Sequence, residues 1–178
     1  MRSWSRIARR IRVPLGFLFA AAYLWLAQPT WTSLTLGAAI AAAGLALRAL
    51  ASGHVRKDSE LTTTGPYAYT RNPLYLGSTI MGVGFAVAAR SLWVLIALAL
   101  LFAFIYVPVI RSEEAYLRAH FAQYGDYARR VPVFLPRLRA ETGAGGGFSR
   151  QLYMQHREYQ ALLGWAAMVA ALAAKLLW

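Results

Sequence analysis

The sequence predicts an all-α, polytopic membrane protein. It should have about five transmembrane helices, a cytoplasmic amphipathic helix and a C-terminal lobe of helical and extended segments. Three observations predict this. Hydrophobic residues make up 58% of the 178 residues and charged ones only 15%, too apolar for an ordinary soluble domain of this length. The apolar residues gather into long runs of helical rather than strand length. The net charge of +12 sits between those runs, which favours a membrane over a nucleic acid as partner. The chain has no cysteine, so disulfides, thiol catalysis and cysteine-ligated zinc are excluded.

The runs fall at about Val13–Ala27, Ser33–Ala51, Leu74–Ala89, Leu92–Ile110 and Ala161–Trp178. The first comes after a basic stretch, as the core of a secretory leader would. Gln28, Pro29, Thr30 and Trp31 offer no small-residue cleavage site, however, and another span succeeds it at once, so it reads as a retained helix. At about 1.5 Å per residue, a hydrocarbon core of about 30 Å takes roughly 20 residues. Flanking Arg, Trp and Tyr extend the shorter runs into the interface. The links between the first and second runs, and between the third and fourth, are very short and imply antiparallel hairpins. Small residues at Gly37, Ala41 and Gly44, and at Gly77, Gly82 and Gly84, suit close helix packing and no chemistry.

Arginine placement sets the orientation. With five spans, three regions lie on one side: Arg2, Arg6, Arg9, Arg10 and Arg12; the 52–73 loop with Arg56, Lys57 and Arg71; and the 111–160 region with Arg111, Arg118, Arg129, Arg130, Arg137, Arg139, Arg150 and Arg157. The other side holds Arg90 and Lys175. Positive-inside bias makes the rich side, with the N-terminus, cytoplasmic. Leu117, Phe121, Tyr124 and Ala128 recur at helical spacing, so 111–130 reads as the amphipathic helix. Residues 131–136 read as extended, because Pro136 disfavours helix at Leu135. The glycine-rich stretch Thr142–Phe148 reads as flexible linker. The expected organisation is a membrane domain over 1–136, a linker over 137–160 and an additional hydrophobic helix over 161–178.

Two polar blocks on the cytoplasmic side are candidates for chemistry, Thr64–Gly77 and Arg111–Glu114. Asn72 and Pro73 suit the N-cap and first turn of a helix, whose free N–H groups also favour ligands. Tyr67, Tyr69 and Tyr75 suit a membrane interface. Glu113 and Glu114 either start the amphipathic helix, pair with Arg111 or Arg118, or present carboxylates to a ligand's ammonium or sulfonium. Arg111 suits an acidic substrate group. His54, His120 and His156 show no metal-ligand spacing and read as surface or interface residues.

These blocks resemble the isoprenylcysteine carboxyl methyltransferase and phospholipid methyltransferase superfamily. Its signature runs roughly G-x-Y-x-x-x-R-H-P-x-Y-x-G, then a hydrophobic hairpin, E-E-x-x-L, an aromatic-rich helix and V-P-x-x-L-P. Here Gly65, Tyr67, Arg71, Pro73, Tyr75 and Gly77 match, and after them Glu113, Glu114, Leu117, Phe121, Tyr124, Tyr127, Val131, Pro132, Leu135 and Pro136. The likeness covers about 59–136. Asn72 stands where the family has His, Ala122 where Gly is usual, and the chain is one residue short between Phe121 and Tyr124.

The resemblance implies an S-adenosyl-L-methionine-dependent methyltransferase. Glu60, Leu61, Thr62, Tyr67, Asn72, Pro73, Leu74 and Tyr75 would line the cofactor. Glu113, with Glu114 beside it, would hold its charged end, and Arg111 would stand near the substrate. The expected acceptor is an amphiphilic small molecule or lipid, with anionic membrane lipids drawn to the basic face and neither metal nor nucleic acid involved. A carboxylate acceptor is already deprotonated at neutral pH and needs no base, whereas an amine would need one that the sequence does not offer. Two alternatives stay open: an NADPH-dependent membrane reductase of related architecture, and a non-catalytic member of the family.

Overall fold

The computed structural model describes residues 20–56, 59–141 and 147–178. The basic N-terminal stretch, Lys57 and most of the glycine-rich segment lie outside them. All regular structure among the described residues is helical. Helix α1 covers 20–26, α2 Trp31–Ser52, α3 Pro73–Ala89 and α4 Leu92–Leu101. A π-helical stretch, Phe102–Tyr106, joins α4 to α5, Val107–His120. Then come α6 (Tyr124–Arg130), α7 (Arg150–Gln155) and α8 (Tyr159–Leu177). Three continuous helices are long and apolar enough to cross a membrane: α2, the joined α4–α5 over Leu92–His120, and α8. Helix α3 is apolar but has 17 residues, and the first expected span lies partly outside the described residues.

Helix α2 starts at a reciprocal cap. Thr30 accepts from the Ser33 amide at 3.2 Å, and Ser33 Oγ accepts from the Thr30 amide at 2.9 Å. It then packs on α3 through the small residues. A Cβ on Gly37 would strike the Gly84 carbonyl, and one on Gly44 would lie 2.5 Å from that of Gly77. Only glycine allows this approach, which supplies the contact that the hydrophobic effect cannot supply in lipid. Gly82 lies off the seam and admits Leu98 of α4.

Helix α8 is part of the core. Leu172 is fully buried with Tyr23, Ala27, Leu34, Ala88 and Ala89. Trp165 Nε1 donates to the Ala38 carbonyl at 3.3 Å. Lys175 Nζ donates to the carbonyls of Leu24 (2.6 Å) and Ala27 (2.8 Å), groups at the end of α1 that have no partner within that helix. The region expected as linker is tied at both ends. The Arg137 and Glu141 amides bond the carbonyls of Tyr69 and Ala68, each at 3.0 Å, while the Ser149 amide bonds that of Gly53 at 2.8 Å, just before α7.

The amphipathic helix expected over 111–130 is not continuous. Residues 111–120 prolong the α4–α5 helix, which ends at an extended Phe121, and α6 restarts at Tyr124. The break lets Tyr124, Tyr127 and Val131 bury together against Leu61, Leu117 and Phe121.

Candidate functional site

A cavity of about 470 Å³ opens where the C-terminal part of α2, the start of α3 and the body of α5 converge. That volume lies within the range of small-molecule sites. Glu60, Leu61, Thr62, Tyr67, Asn72, Pro73, Leu74, Tyr75, Glu113 and Glu114 all line it. Arg111 does not; it is exposed on α5, outside the lining.

One wall is the loop before α3, shaped by its backbone. Gly65 sits at φ +57°, and a Cβ there would strike the His54 ring at 2.5 Å. The short 3₁₀ turn Gly65–Ala68 comes next, burying Tyr67. The extended tail after α6 then clasps the loop. The Arg71 amide donates to the Pro132 carbonyl at 2.9 Å, Thr70 Oγ1 to that of Phe134 at 2.9 Å, and Asn72 Nδ2 to that of Val133 at 2.9 Å. Asn72 thus holds the cap position of α3 without capping it, because its amide is committed to the tail. The first turn of α3 has no side-chain cap beside the cavity that Pro73 and Leu74 line.

The opposite wall is α5. Pro108 has no N–H for the carbonyl four residues back and its ring crowds that carbonyl, and the wider π turn absorbs both defects. Such a turn inserts roughly one residue, rotating the downstream helix by about 100°. Glu113 and Glu114, beyond it, face the cavity. Tyr106, within it, packs edge-on against Tyr75 with ring centroids 5.3 Å apart.

The two carboxylates differ. Glu114 pairs with Arg71 Nε at 2.8 Å, with both side chains largely buried. Arg71 Nη1 also donates to the Ala128 carbonyl at 2.5 Å, so this pair joins the loop, α5 and α6. The sequence offered Arg111 or Arg118 as partners; Arg71 takes that place because the tail brings the loop under α5. Glu113 accepts from the Tyr75 hydroxyl at 2.9 Å and pairs with no cation among the described residues.

Aromatic side chains close the cavity. Burial, and then the neighbouring Tyr127, hold the Tyr67 hydroxyl in its neutral form well above the usual tyrosine range. Tyr127 donates to the Tyr67 carbonyl at 2.8 Å. Among the described residues the Tyr124 hydroxyl is buried without a hydrogen-bond partner. Burial, and then the charge of Glu114, push its pKa up to about 12.

Two charged lining residues escaped the sequence reading. Arg48 of α2 grips Glu158, just before α8, through Nε to Oε2 (3.1 Å) and Nη2 to Oε1 (2.5 Å), and its Nη1 meets Ser78 Oγ. A cation inside an apolar run was the available signal for Arg48. Nothing local marks Glu158. Each histidine ring bonds a backbone carbonyl: His54 that of Leu50, His120 that of Tyr116 and His156 that of Ser52.

Residues 17–124 match the phospholipid methyltransferase family, well over half of the chain. The chain belongs to that family. The matched region contains α2, α3 and the α4–α5 helix with both carboxylates, and stops before the tail and Glu158. A nickel-cobalt-cadmium resistance protein, NccN, of Alcaligenes xylosoxydans xylosoxydans is 43% identical over 64% of this chain and 53% of its own length. A cobalt-zinc-cadmium resistance protein, CzcN, of Cupriavidus metallidurans is 39% identical over 67% of this chain and 55% of its own. The protein-S-isoprenylcysteine O-methyltransferase of Schizosaccharomyces pombe is 28% identical over 76% of this chain and 59% of its own. The chain therefore spans about half the length of the curated relatives it matches. No solved structure matches it. Membership of this family and three apolar helices of spanning length make it an integral membrane protein.

Proposed function

We propose that this protein is an S-adenosyl-L-methionine-dependent methyltransferase that methylates the carboxylate of an amphiphilic or lipid-linked substrate, with its cavity on the cytoplasmic side. The observation that carries this reading is Glu113. Its carboxylate lines a cavity at the ends of membrane helices, held by a neutral tyrosine hydroxyl and balanced by no cation among the described residues. An anion so placed suits a ligand bearing positive charge. The donor set fits the cofactor: a carboxylate for its cationic end, tyrosine faces for its sulfonium and ring, and the orphaned Tyr124 hydroxyl as a hydrogen-bonding group. When bound, adenosylmethionine would supply a methyl group on a positively charged sulfur.

The residues then act by placement. Glu113 and Tyr75 orient the donor, the loop under Asn72 fixes the floor, and Tyr67 and Phe121 exclude water. A carboxylate acceptor would take the methyl group as an ester and leave the donor sulfur neutral, so these residues would have no proton to move. Arg111, exposed outside the lining, serves at most as an outer contact for the incoming acid.

The test is incubation of the purified protein and a lipid extract with methyl-labelled adenosylmethionine, then identification of the labelled product. A labelled methyl ester is expected, and it should disappear in Glu113→Gln. Binding of NADPH in place of adenosylmethionine would move the protein to the reductase reading, and binding of neither to a non-catalytic one. The names of two relatives favour a second, physiological reading, that the reaction serves metal resistance. Among the described residues no group of three or more His, Cys, Asp or Glu side chains is placed to hold a metal ion, so such a role would run through the methylated product. Unchanged cadmium tolerance on deletion of the gene would remove it.

A further inference from the structure

The Arg48–Glu158 pair sits in the cavity lining, yet Glu158 lies beyond the region that matches the family. A cation within a membrane helix is expensive and needs a purpose. Anchoring α8 is a weak one, because Leu172, Trp165 and Lys175 already hold that helix. The geometry suggests another. Nε and Nη2 of Arg48 meet the two oxygens of one carboxylate at 3.1 and 2.5 Å, the two-pronged grip by which arginine recognises any carboxylate. Ser78 Oγ steadies the third nitrogen. The side chains are 24% and 11% exposed, so the grip borders the cavity rather than bulk water.

The turn that carries Glu158 closes α7 and contains one left-handed residue. Arg157, immediately before Glu158, is held at φ +56°, a left-handed conformation that a residue with a Cβ adopts reluctantly. The Glu158 amide bonds the Tyr153 carbonyl at 3.3 Å and the Arg157 amide that of Met154 at 3.1 Å, the paired bonds that end α7 and place the Glu158 carboxylate beside Arg48.

We propose that Arg48 is the receptor for the carboxylate headgroup of an amphiphilic acid, and that Glu158 is its resident occupant, displaced when that acid enters. Glu158 thereby sets specificity: a neutral amphiphile gains nothing by replacing it, and only an anion restores the charge balance of Arg48. The inference deepens the proposed function by naming the acceptor's anchor, but the binding itself requires no methyl donor.

The experiment uses the full chain in phosphatidylcholine nanodiscs, labelled by a diazirine-bearing fatty acid without adenosylmethionine. Oleate, methyl oleate and oleoyl lysophosphatidate serve as competitors. Saturable labelling of peptides around the cavity is expected, displaced by oleate and not by its methyl ester. Glu158→Gln weakens the resident and should lower the half-saturating concentration by about tenfold. Arg48→Gln should abolish saturable labelling, and Arg48→Lys, which keeps charge but not the two-pronged grip, should fall between. If Arg48→Gln fails to fold by thermal melting, the Glu158→Gln arm decides alone. Unchanged or weaker labelling in Glu158→Gln, or oleate competition surviving in folded Arg48→Gln, would overturn the proposal. Lysophosphatidate competing better than oleate would overturn the choice of a carboxylate. Intact binding here, with no labelled ester in the separate adenosylmethionine assay, would sink the transferase reading and leave this one standing.

Discussion

The α2–α3 pair that supports one wall of the cavity and the α4–α5 helix that forms the other are built on different principles. On one side, α2 and α3 meet backbone to backbone, with Gly37, Gly44, Gly77 and Gly84 at distances that no other residue permits. On the other, the α4–α5 helix is largely open to its surroundings. Phe104 is 74% and Leu92 68% exposed, and over 29 residues only Val94 and Ile110 are buried. This helix carries Glu113 and Glu114, and polar side chains tie it down: Tyr75 to Glu113 and Arg71 to Glu114. The difference separates tasks. The glycine seam holds the fold, whereas the opposite wall is placed by a few bonds that also face the cavity, so damage to the two should be read in different assays.

The seam should give the largest effect. In Gly84→Leu the new Cβ would meet the Ala41 amide and the Gly37 carbonyl, both at 2.5 Å, and neither backbone can yield. The expected loss is on the order of 3 kcal/mol or more, seen as little folded protein by size exclusion in detergent. A normal yield would show that the seam is not what holds the pair. Next is Arg71→Gln, which strands Glu114 in a largely buried setting. A loss of about 3 kcal/mol is expected, measured as a lowered denaturation midpoint, with ligand affinity falling too because the loop and α5 lose their tie. Glu113→Gln should divide the two readouts. Tyr75 can still donate to the new amide oxygen, so stability should hold, while adenosylmethionine binding should weaken by about 2 kcal/mol, roughly thirtyfold in Kd. Equal loss in both readouts would erase the distinction between the walls.

The smallest effect belongs to Tyr124→Phe. Removing an unsatisfied buried hydroxyl should raise stability by up to about 1 kcal/mol while weakening ligand binding. The pH dependence comes from the raised pKa. The folded state keeps the Tyr124 proton up to about pH 12, and an unfolded tyrosine loses it near 10. This contribution is therefore fully present below pH 10 and fades as pH rises through 12, and Tyr124→Phe should flatten that part of the stability profile.

How much the sequence revealed depends on how local each signal is. Helix bounds were readable because apolar runs are contiguous: α2 and α3 begin and end within about two residues of the hydropathy reading. The lining residues of 60–75 and 113–114 came with the motif that contains them. The break at Phe121 was not readable from periodicity, since Leu117, Tyr124 and Ala128 keep helical spacing across it; only the missing residue hinted at it. Arg71 with Glu114, and Arg48 with Glu158, are meetings across long stretches of chain that no local pattern encodes. Asn72 and Pro73 do start α3, as read, but the Asn72 side chain bonds the Val133 carbonyl some sixty residues away instead of capping the helix, and no local pattern encodes that.

Lys175 lends the fold an order of completion. Helix α8 leaves the ribosome long after α1, yet it supplies the ammonium that quiets the bare carbonyls of Leu24 and Ala27. Until that lysine arrives, the earlier segment holds exposed acceptors at the membrane boundary, and the bundle can lock only once α8 has been made.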